Sequence, residues 1–528
     1  MKTEAEERRE KILAIKAKKT KLDFSNIPLD DERTWDLIST GLTKGVFQLE
    51  GNLGKRYAKE VKPRDIEELS DVVSLIRPGC LEAEYREKPD KPGEFSSITH
   101  TYIKVRNGTW EPEYIHPVLE PIFRDTNGVP IYQEQIMRIC TDFAGFTLKE
   151  ADVARKAVGK KKADVMEKVK KNFMEGAAAR GHDPVIAETI FGWISKFSGY
   201  GFNKSHGVSY AMIGYKTAYA KCHYPLQFFK AMLTNSDSKQ DSLEEIQELV
   251  YEARLFNIDV QPPCLKKLNH DFDIVDRATI AFGLGHIKGV GKSALKALAK
   301  IADATGDVDF LRKAFGEGTK VNKGVVIALI KSGALDYMTP HRVRLLSWYK
   351  VFGILTKRER EYMFKQLDED LTLNEALNNL MDSKVPNKSR KPRIREAIGE
   401  VARELGGTPK KMCIAWEKYY LGIPLSGSLV DLHYNPRVNI KLKNMGRLSN
   451  KTDGCIGVVI EKIRRIKDKN HNEMCFLTVS DETYMIDSVV VFSSIYNRIG
   501  WIIEEGKPVL ITGKKDRDSF LVRAIDHL

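Results

Sequence analysis

The strongest constraint on the fold is a change of hydrophobic period along the chain. Through residues 22–260 apolar side chains recur mostly at helical spacing, interrupted at Arg77-Pro78-Gly79, Gly128 and Tyr200-Gly201. From about residue 455 onward the period becomes two, which a helix cannot accommodate without turning apolar residues to water. Five strand-like runs follow, at 455–463, 474–479, 486–492, 508–512 and 520–525, with one short helix at 494–504 between the third and fourth. Such a set closes most economically as a small barrel.

Between these regimes the pattern is mixed. Pro262-Pro263 and the alternation through Phe272, Ile274, Ile280 and Phe282 predict a small hairpin. Short helices with tight glycine turns follow to about 345. A polar helical stretch and a Pro/Lys/Arg-rich linker near 383–395 then lead toward the barrel. The expected fold class is multidomain α+β, divided at 1–20, 21–260, 261–345, 346–445 and 446–528. The last segment has the strand order of an OB-fold barrel.

Lysine plus arginine is 85 against 72 acids, a formal charge of +13, which favours a polyanionic partner. The seven cysteines (80, 140, 222, 264, 413, 455 and 475) are scattered without a Cys-x-x-Cys pair, arguing against a disulfide framework and against structural zinc. No apolar run approaches the ~18 residues that cross a bilayer, and no signal-like segment opens the chain. A soluble cytoplasmic protein without a membrane partner is the expectation.

Four constellations carry chemistry. Thr147 and Glu150 form a capping box that predicts a helix start, with Ala151, Ala154 and Val158 on its apolar side. Arg155 projects from the edge of that side and Lys156, Lys160, Lys161 and Lys162 follow; such groups in a partly dry cleft suit a triphosphate. The plainer alternative is a solvated charged helix face. In Tyr200-Gly201-Phe202-Asn203-Lys204-Ser205-His206, Ser205 is expected to cap the next helix. That places Asn203, Lys204 and His206 around a helix N-terminus, where free N–H groups attract an anion. The alternative is a capped loop with a surface lysine.

The third is Gly283-Leu284-Gly285-His286-Ile287-Lys288-Gly289-Val290-Gly291-Lys292, a helix-hairpin-helix signature preceding a helix expected at 293–300. Its glycines let backbone N–H groups approach phosphates, with Lys288 and Lys292 flanking them. A glycine turn between packing helices is the competing account. A second, divergent helical pair ends at Lys331-Ser332-Gly333-Ala334-Leu335. In the barrel, Lys462, Arg464, Arg465, Lys467 and Lys469 supply charge for a single strand, while Phe476 is read as core and Tyr484 as core or platform.

Taken in order, these motifs resemble the C-terminal part of the bacterial DNA polymerase III alpha subunit, the family C replicative polymerases. The likeness runs from about residue 21 to 528. It includes Ile27-Pro28-Leu29-Asp30-Asp31, Val46-Phe47-Gln48-Leu49-Glu50, Arg77-Pro78-Gly79, Tyr132-Gln133-Glu134-Gln135 and Gly159-Lys160-Lys161-Lys162. The resemblance implies a residual palm-side helix (1–20), a fingers domain (21–260), a hairpin plus tandem helix-hairpin-helix domain (261–345), a helical connector with a basic linker (346–445) and the OB domain (446–528). It implies that Arg155, Lys156, Asn203, Lys204, His206 and Arg77 hold the triphosphate of an incoming dNTP. DNA contact would fall to Lys288, Gly289, Gly291, Lys292, Lys160, Lys161, Lys162, Arg464 and Lys467. In two places the chain departs from the family: Lys156 stands where a second arginine is usual, and Cys80 where a proline follows Arg-Pro-Gly.

The family's catalytic aspartates precede the fingers, and none is expected in this chain. Asp271-Phe272-Asp273 lies on a predicted strand without a third acid. Asp307-Val308-Asp309, Asp368-Glu369-Asp370 and Asp516-Arg517-Asp518 are read as solvated loops. The expectation is therefore a DNA-directed DNA polymerase active only with a separate palm-bearing chain that holds Mg²⁺. Its other partners would be primer–template DNA and dNTP. The alternative is a non-catalytic DNA-binding or assembly protein derived from the polymerase. A sliding clamp is a further candidate partner; Gln366-Leu367-Asp368 begins like a clamp-binding peptide, but Glu369-Asp370-Leu371 lacks the expected Leu-Phe pair.

Overall fold

The computed structural model describes residues 22–528, with 161–162, 198–200, 317, 320 and 405–408 outside it. The side chains at 158–160, 163–164, 196–197, 400–404 and 409 also lie outside. The expected helix at 1–20 and the contacts of Lys160, Lys161 and Lys162 therefore lie outside the described residues. The chain forms two compact units, Met1–Pro225 and Leu226–Leu528.

The first unit is mainly helical around two apolar cores, with one antiparallel hairpin, Glu84–Lys88 against Lys91–Ser97. In one, the long helix Lys204–His223 packs against Ile66–Leu75 and Glu32–Thr40, burying Trp35, Leu69, Val72, Tyr102, Tyr132 and Tyr215. In the other, helices Leu148–Lys160, Ala163–Ala179 and Pro184–Phe197 enclose Phe143, Ala151, Ala154, Phe173 and Ile190. The predicted capping box is present: the Thr147 amide and hydroxyl both donate to Glu150 Oε2, at 2.8 and 2.7 Å, and the Glu150 amide returns to Thr147 Oγ1 at 3.3 Å. Helix Gln133–Arg138 spans the two cores, since Tyr132 before it belongs to the first and Ile136 to the second.

The second unit contains the hairpin region, a run of helices and the barrel. The expected hairpin is one side of a three-stranded sheet. Asp273–Ile274 pairs antiparallel with Thr279–Ala281, which pairs parallel with Asp259–Gln261 on its other side. The helix expected at 293–300 is a 3₁₀ turn, Lys292–Ala294, followed by one helical turn, Leu295–Leu298. Part of the predicted linker is helix Arg390–Glu404. Its first residue explains this: the Arg390 guanidinium donates to both oxygens of buried Glu359, at 2.7 and 2.8 Å, and to Ile354 O.

Asp453–Lys467, Glu473–Ser480, Met485–Val491, Pro508–Asp516 and Ser519–His527 form a closed barrel, and helix Ser493–Ile499 sits between the third and fourth strands as predicted. The first strand is long enough to pair with both the second and the fourth. Closure comes from a parallel contact of the fifth strand with the third, Phe520 opposite Val489. The barrel is filled by Ile456, Val458, Leu477, Val489 and Ile511 among others.

Candidate nucleotide site and nucleic-acid interface

The predicted nucleotide residues meet around the N-terminus of helix Lys204–His223. Phe202 forms a parallel bridge with Tyr132: its amide donates to Ile131 O at 3.1 Å, and the Gln133 amide donates to Phe202 O at 2.8 Å. This short bridge carries the loop before Lys204 onto the turn that joins the two cores.

Gln133 then connects the site laterally. Its Nε2 donates to Gly201 O at 3.2 Å, and its Oε1 accepts from Arg155 Nη1 at 3.1 Å. Asp152, one turn before Arg155, accepts from Arg155 Nε and Nη2 at 3.0 and 2.8 Å and pairs with Lys156 Nζ at 2.6 Å. Hydrogen bonds from Lys156 and Arg155 hold its carboxyl below the usual range. Arg77 lies with its guanidinium 4.0 Å from the Phe202 ring centroid and donates from Nε to Ser74 O. Arg77, Arg155, Lys156, Asn203, Lys204 and His206 thus belong to one neighbourhood, joined through Phe202, Gln133 and Glu134.

Asn203, and not Ser205, caps the helix. The Asn203 Oδ1 accepts from the His206 amide at 2.9 Å, and Ser205 Oγ donates to that same oxygen. Asn203 has extended backbone, as an N-cap requires, whereas Ser205 is already helical. Glu134 takes the first amide of the helix: its carboxylate accepts from the Lys204 amide at 3.1 and 3.0 Å and from Asn203 Nδ2 at 3.1 Å. A carboxylate is therefore seated where the partial positive charge of the helix would draw a phosphate. The Lys204 ammonium reaches Glu67 at 3.4 Å, and the exposed His206 ring packs beside Tyr210.

Beneath this surface lies a buried acid. The Tyr132 hydroxyl donates to Asp71 Oδ1 at 2.6 Å and the Tyr102 hydroxyl to Oδ2 at 2.9 Å. Burial pushes the Asp71 carboxyl up to about 7, outweighing those two hydroxyls and the nearby Lys204 charge. The Asp71–Tyr132 bond anchors the turn from which Gln133 and Glu134 project.

In the second unit, Lys288, Gly289, Gly291 and Lys292 are exposed at the hairpin tip, while Ile287 and Val290 plug it into the interior. Gly289 has φ +88, a left-handed conformation that a side chain would strain. The hairpin leans on helix Pro409–Leu421: the Lys288 amide donates to Tyr420 O at 2.9 Å, and Lys288 Nζ lies 4.1 Å from the Tyr419 ring centroid. These tyrosines come from the stretch read only as connector.

The barrel corrects one expectation. Cys475, Leu477 and Val479 face the interior, so Phe476 points outward, half-buried beneath the Arg464 guanidinium at 4.7 Å. The two are register partners on adjacent strands. Tyr484 packs against the core. Lys467 is exposed at the end of its strand.

Asp271, Asp273, Asp307, Asp309 and Asp368 are engaged elsewhere. Asp271 Oδ1 bonds His270 Nδ1 at 2.6 Å, and Asp273 Oδ1 accepts its neighbour's amide. Asp307 and Asp309, expected in a solvated loop, instead open helix Asp307–Ala314 and pair with Arg344 and Lys313. Asp368 meets Arg312 at 2.6 Å. Among the described residues, one group has metal-ligand spacing, Asp31, Cys222 and His223. Its Asp31 Oδ2 already accepts from the Thr34 amide, the Thr34 hydroxyl and His223 Nε2, at 2.9, 2.6 and 2.8 Å. That arrangement is a helix cap braced by a histidine.

Glu134, Asp152 and Glu67 were not assigned a role from the sequence, nor was Gln133. The Asp152 contacts are i,i+3 and i,i+4 pairs and could have been found by helical spacing. The others join residues distant in sequence.

Comparison with known proteins agrees with the order of these parts. Residues 9–181 match the bacterial DNA polymerase III alpha subunit finger domain, and residues 257–345 match a helix-hairpin-helix motif. DNA polymerase III subunit alpha of Aquifex aeolicus is 33% identical over 503 residues, covering 94% of this chain and 38% of that protein. The Bacillus subtilis protein of the same name is 33% identical over 523 residues, covering 97% and 43%, and that of Thermus aquaticus 32% identical over 527 residues, covering 95% and 38%. The chain thus spans about two fifths of the length of these relatives. With fingers, hairpin and closed barrel in that order, the chain is similar to the part of bacterial DNA polymerase III alpha subunits that runs from fingers to barrel.

Proposed function

We propose that this chain provides the nucleotide-binding fingers and the DNA grip of a DNA-directed DNA polymerase acting in replication, together with a separate palm-bearing chain. The reaction is attack of a primer 3′-hydroxyl on the α-phosphorus of a dNTP, with pyrophosphate leaving. The observation that carries the reading is the joining of Arg77, Arg155 and Lys204 around one bridge, Phe202 to Tyr132. Arg155 presents a planar fork and Lys156, Lys204 and His206 add donors, so the set can neutralise a triphosphate as its bonds rearrange. The exposed hairpin and the Arg464–Phe476 face suit duplex backbone and single strand respectively.

Among the described residues, Asp271, Asp307, Asp309 and Asp368 are each held by a basic side chain and do not fit two catalytic metal ions. Mg²⁺ is therefore assigned to the partner's carboxylates, where it would supply charge stabilisation of the attacking and leaving oxygens. Primer extension with this chain and a palm-bearing chain tests the proposal. Extension should require both and fall with Arg155→Ala; no extension in any such mixture overturns it.

One observation favours a second reading, a non-catalytic DNA-binding protein derived from the polymerase: the Glu134 carboxylate already accepts the first amide of the helix end where a phosphate would sit. That reading predicts salt-sensitive duplex binding with no dNTP binding in any mixture.

A further inference from the structure

The Lys288–Gly291 hairpin does not stand alone. It forms one wall of a cavity of about 710 Å³ whose other walls are the start of helix Lys323–Ser332, with Asn322 and Gly324, and the Tyr419–Tyr420 end of helix Pro409–Leu421. We infer that Tyr419 is a positioning residue of the DNA grip, holding the Lys288 ammonium at the mouth of a groove that seats the sugar-phosphate backbone of duplex DNA. The inference deepens the proposed role of the hairpin and rests on it.

Three observations carry it. First, the ring is 57% exposed although it sits beside a cavity, so packing alone does not account for it. Second, Lys288 is held to the same helix twice, by its amide on Tyr420 O and by its ammonium over the Tyr419 ring. A free lysine loses much side-chain freedom on meeting a phosphate; one already resting on an aromatic face loses less. A ring quadrupole attracts the ammonium more weakly than a phosphate does, so the lysine can be handed over. Third, the helix is rigidly placed. Glu417, fully buried, pairs with Arg342 at 2.7 Å and accepts from the amides of Leu425 and Ser426. The groove also offers Gly289 and Gly291, where no side chain blocks the approach of a strand.

The experiment uses the full chain, a short blunt-ended duplex of mixed sequence and fluorescence anisotropy across a salt series. Tyr419→Ala should weaken binding about three- to tenfold at low salt, Tyr419→Leu similarly, and Tyr419→Phe should retain it. Because the ring acts through Lys288, Tyr419→Ala should add nothing in a Lys288→Ala background. Full affinity in Tyr419→Leu, or an independent loss in the Lys288→Ala background, overturns the inference. Lys288→Ala and Lys292→Ala should each flatten the salt dependence by about 0.9 in log–log slope. If neither changes binding, the hairpin itself is not the grip and the parent reading fails; if they weaken binding while Tyr419→Ala does not, only this inference fails.

Discussion

Gln133 Oε1 accepts a hydrogen bond from Arg155 Nη1 at 3.1 Å, and through it the charged helix is tied to the loop that opens helix Lys204–His223. With Nε and Nη2 occupied by Asp152, this contact sets the direction of the guanidinium fork. Replacing Gln133 by Ala frees the fork, and a hydrogen bond to a charged group is worth ~1.5–3 kcal/mol. Gln133→Ala should therefore raise the KM for dNTP by about tenfold or more in primer extension with a palm-bearing chain, with a smaller change in kcat. An unchanged KM would remove Gln133 from the site.

Glu134→Gln tests the carboxylate on the helix N-terminus. The amide keeps an acceptor for the Lys204 amide but drops the negative charge that competes with phosphate. Charge at a helix end is worth ~0.3–1 kcal/mol, so triphosphate binding should tighten about two- to fivefold. Titration with a non-hydrolysable dNTP analogue measures it; weaker binding would show that Glu134 supports the ligand.

Asp71 makes stability depend on pH. Its folded pKa, raised by burial to about 7, lies above the ordinary value of 3.8, so between these limits the folded state binds the extra proton. Stability from this group is complete at low pH and is lost as pH rises toward and through about 7. Asp71→Asn should flatten the fall in melting temperature measured from mildly acidic to mildly basic buffer. An identical pH profile in both proteins would mean that Asp71 does not titrate in that window.

Arg342 and Glu417 are a buried pair, 4% and 0% exposed at the side chain. Gly333, at φ +83, makes room for the guanidinium, which any Cβ there would strike. Asp336 grips the same guanidinium at 2.9, 3.1 and 2.6 Å, so Arg342 keeps a partner without Glu417, whereas removing Arg342 leaves the Glu417 carboxylate buried without its cation and should cost about 3–5 kcal/mol. Arg342→Ala should lower the denaturation midpoint of the chain by the corresponding amount, and Lys288 and Tyr419 should become more mobile with it.

Local chemistry was legible wherever partners are near in sequence. The Thr147–Glu150 box, the glycine hairpin and the five-strand order each depend on residues within one element or one turn. Among the local readings that the structure overturns, Ser205 and Phe476 show why most clearly. Asn203 took the cap from Ser205 because both residue types cap well and only the backbone turn decides between them. Phe476 is expected in the core, but Cys475-Phe476-Leu477 is apolar on both faces of the strand, and barrel closure chooses the set with 475, 477 and 479.

The sequence by itself determined the kinds of element, their order and the chemistry of the basic groups, because periodicity, capping and glycine placement act over a few residues. Which groups cooperate was decided by tertiary structure. Glu134 meets Asn203 and Lys204 across 69 and 70 residues, and Arg155 meets Gln133 across 22, only because Tyr132 and Ile136 anchor one short helix in two cores. Tyr419 reaches Lys288 because the buried Glu417–Arg342 pair fixes its helix. Such contacts have no local signature: each side chain is compatible with solvent, and packing alone gives it a partner.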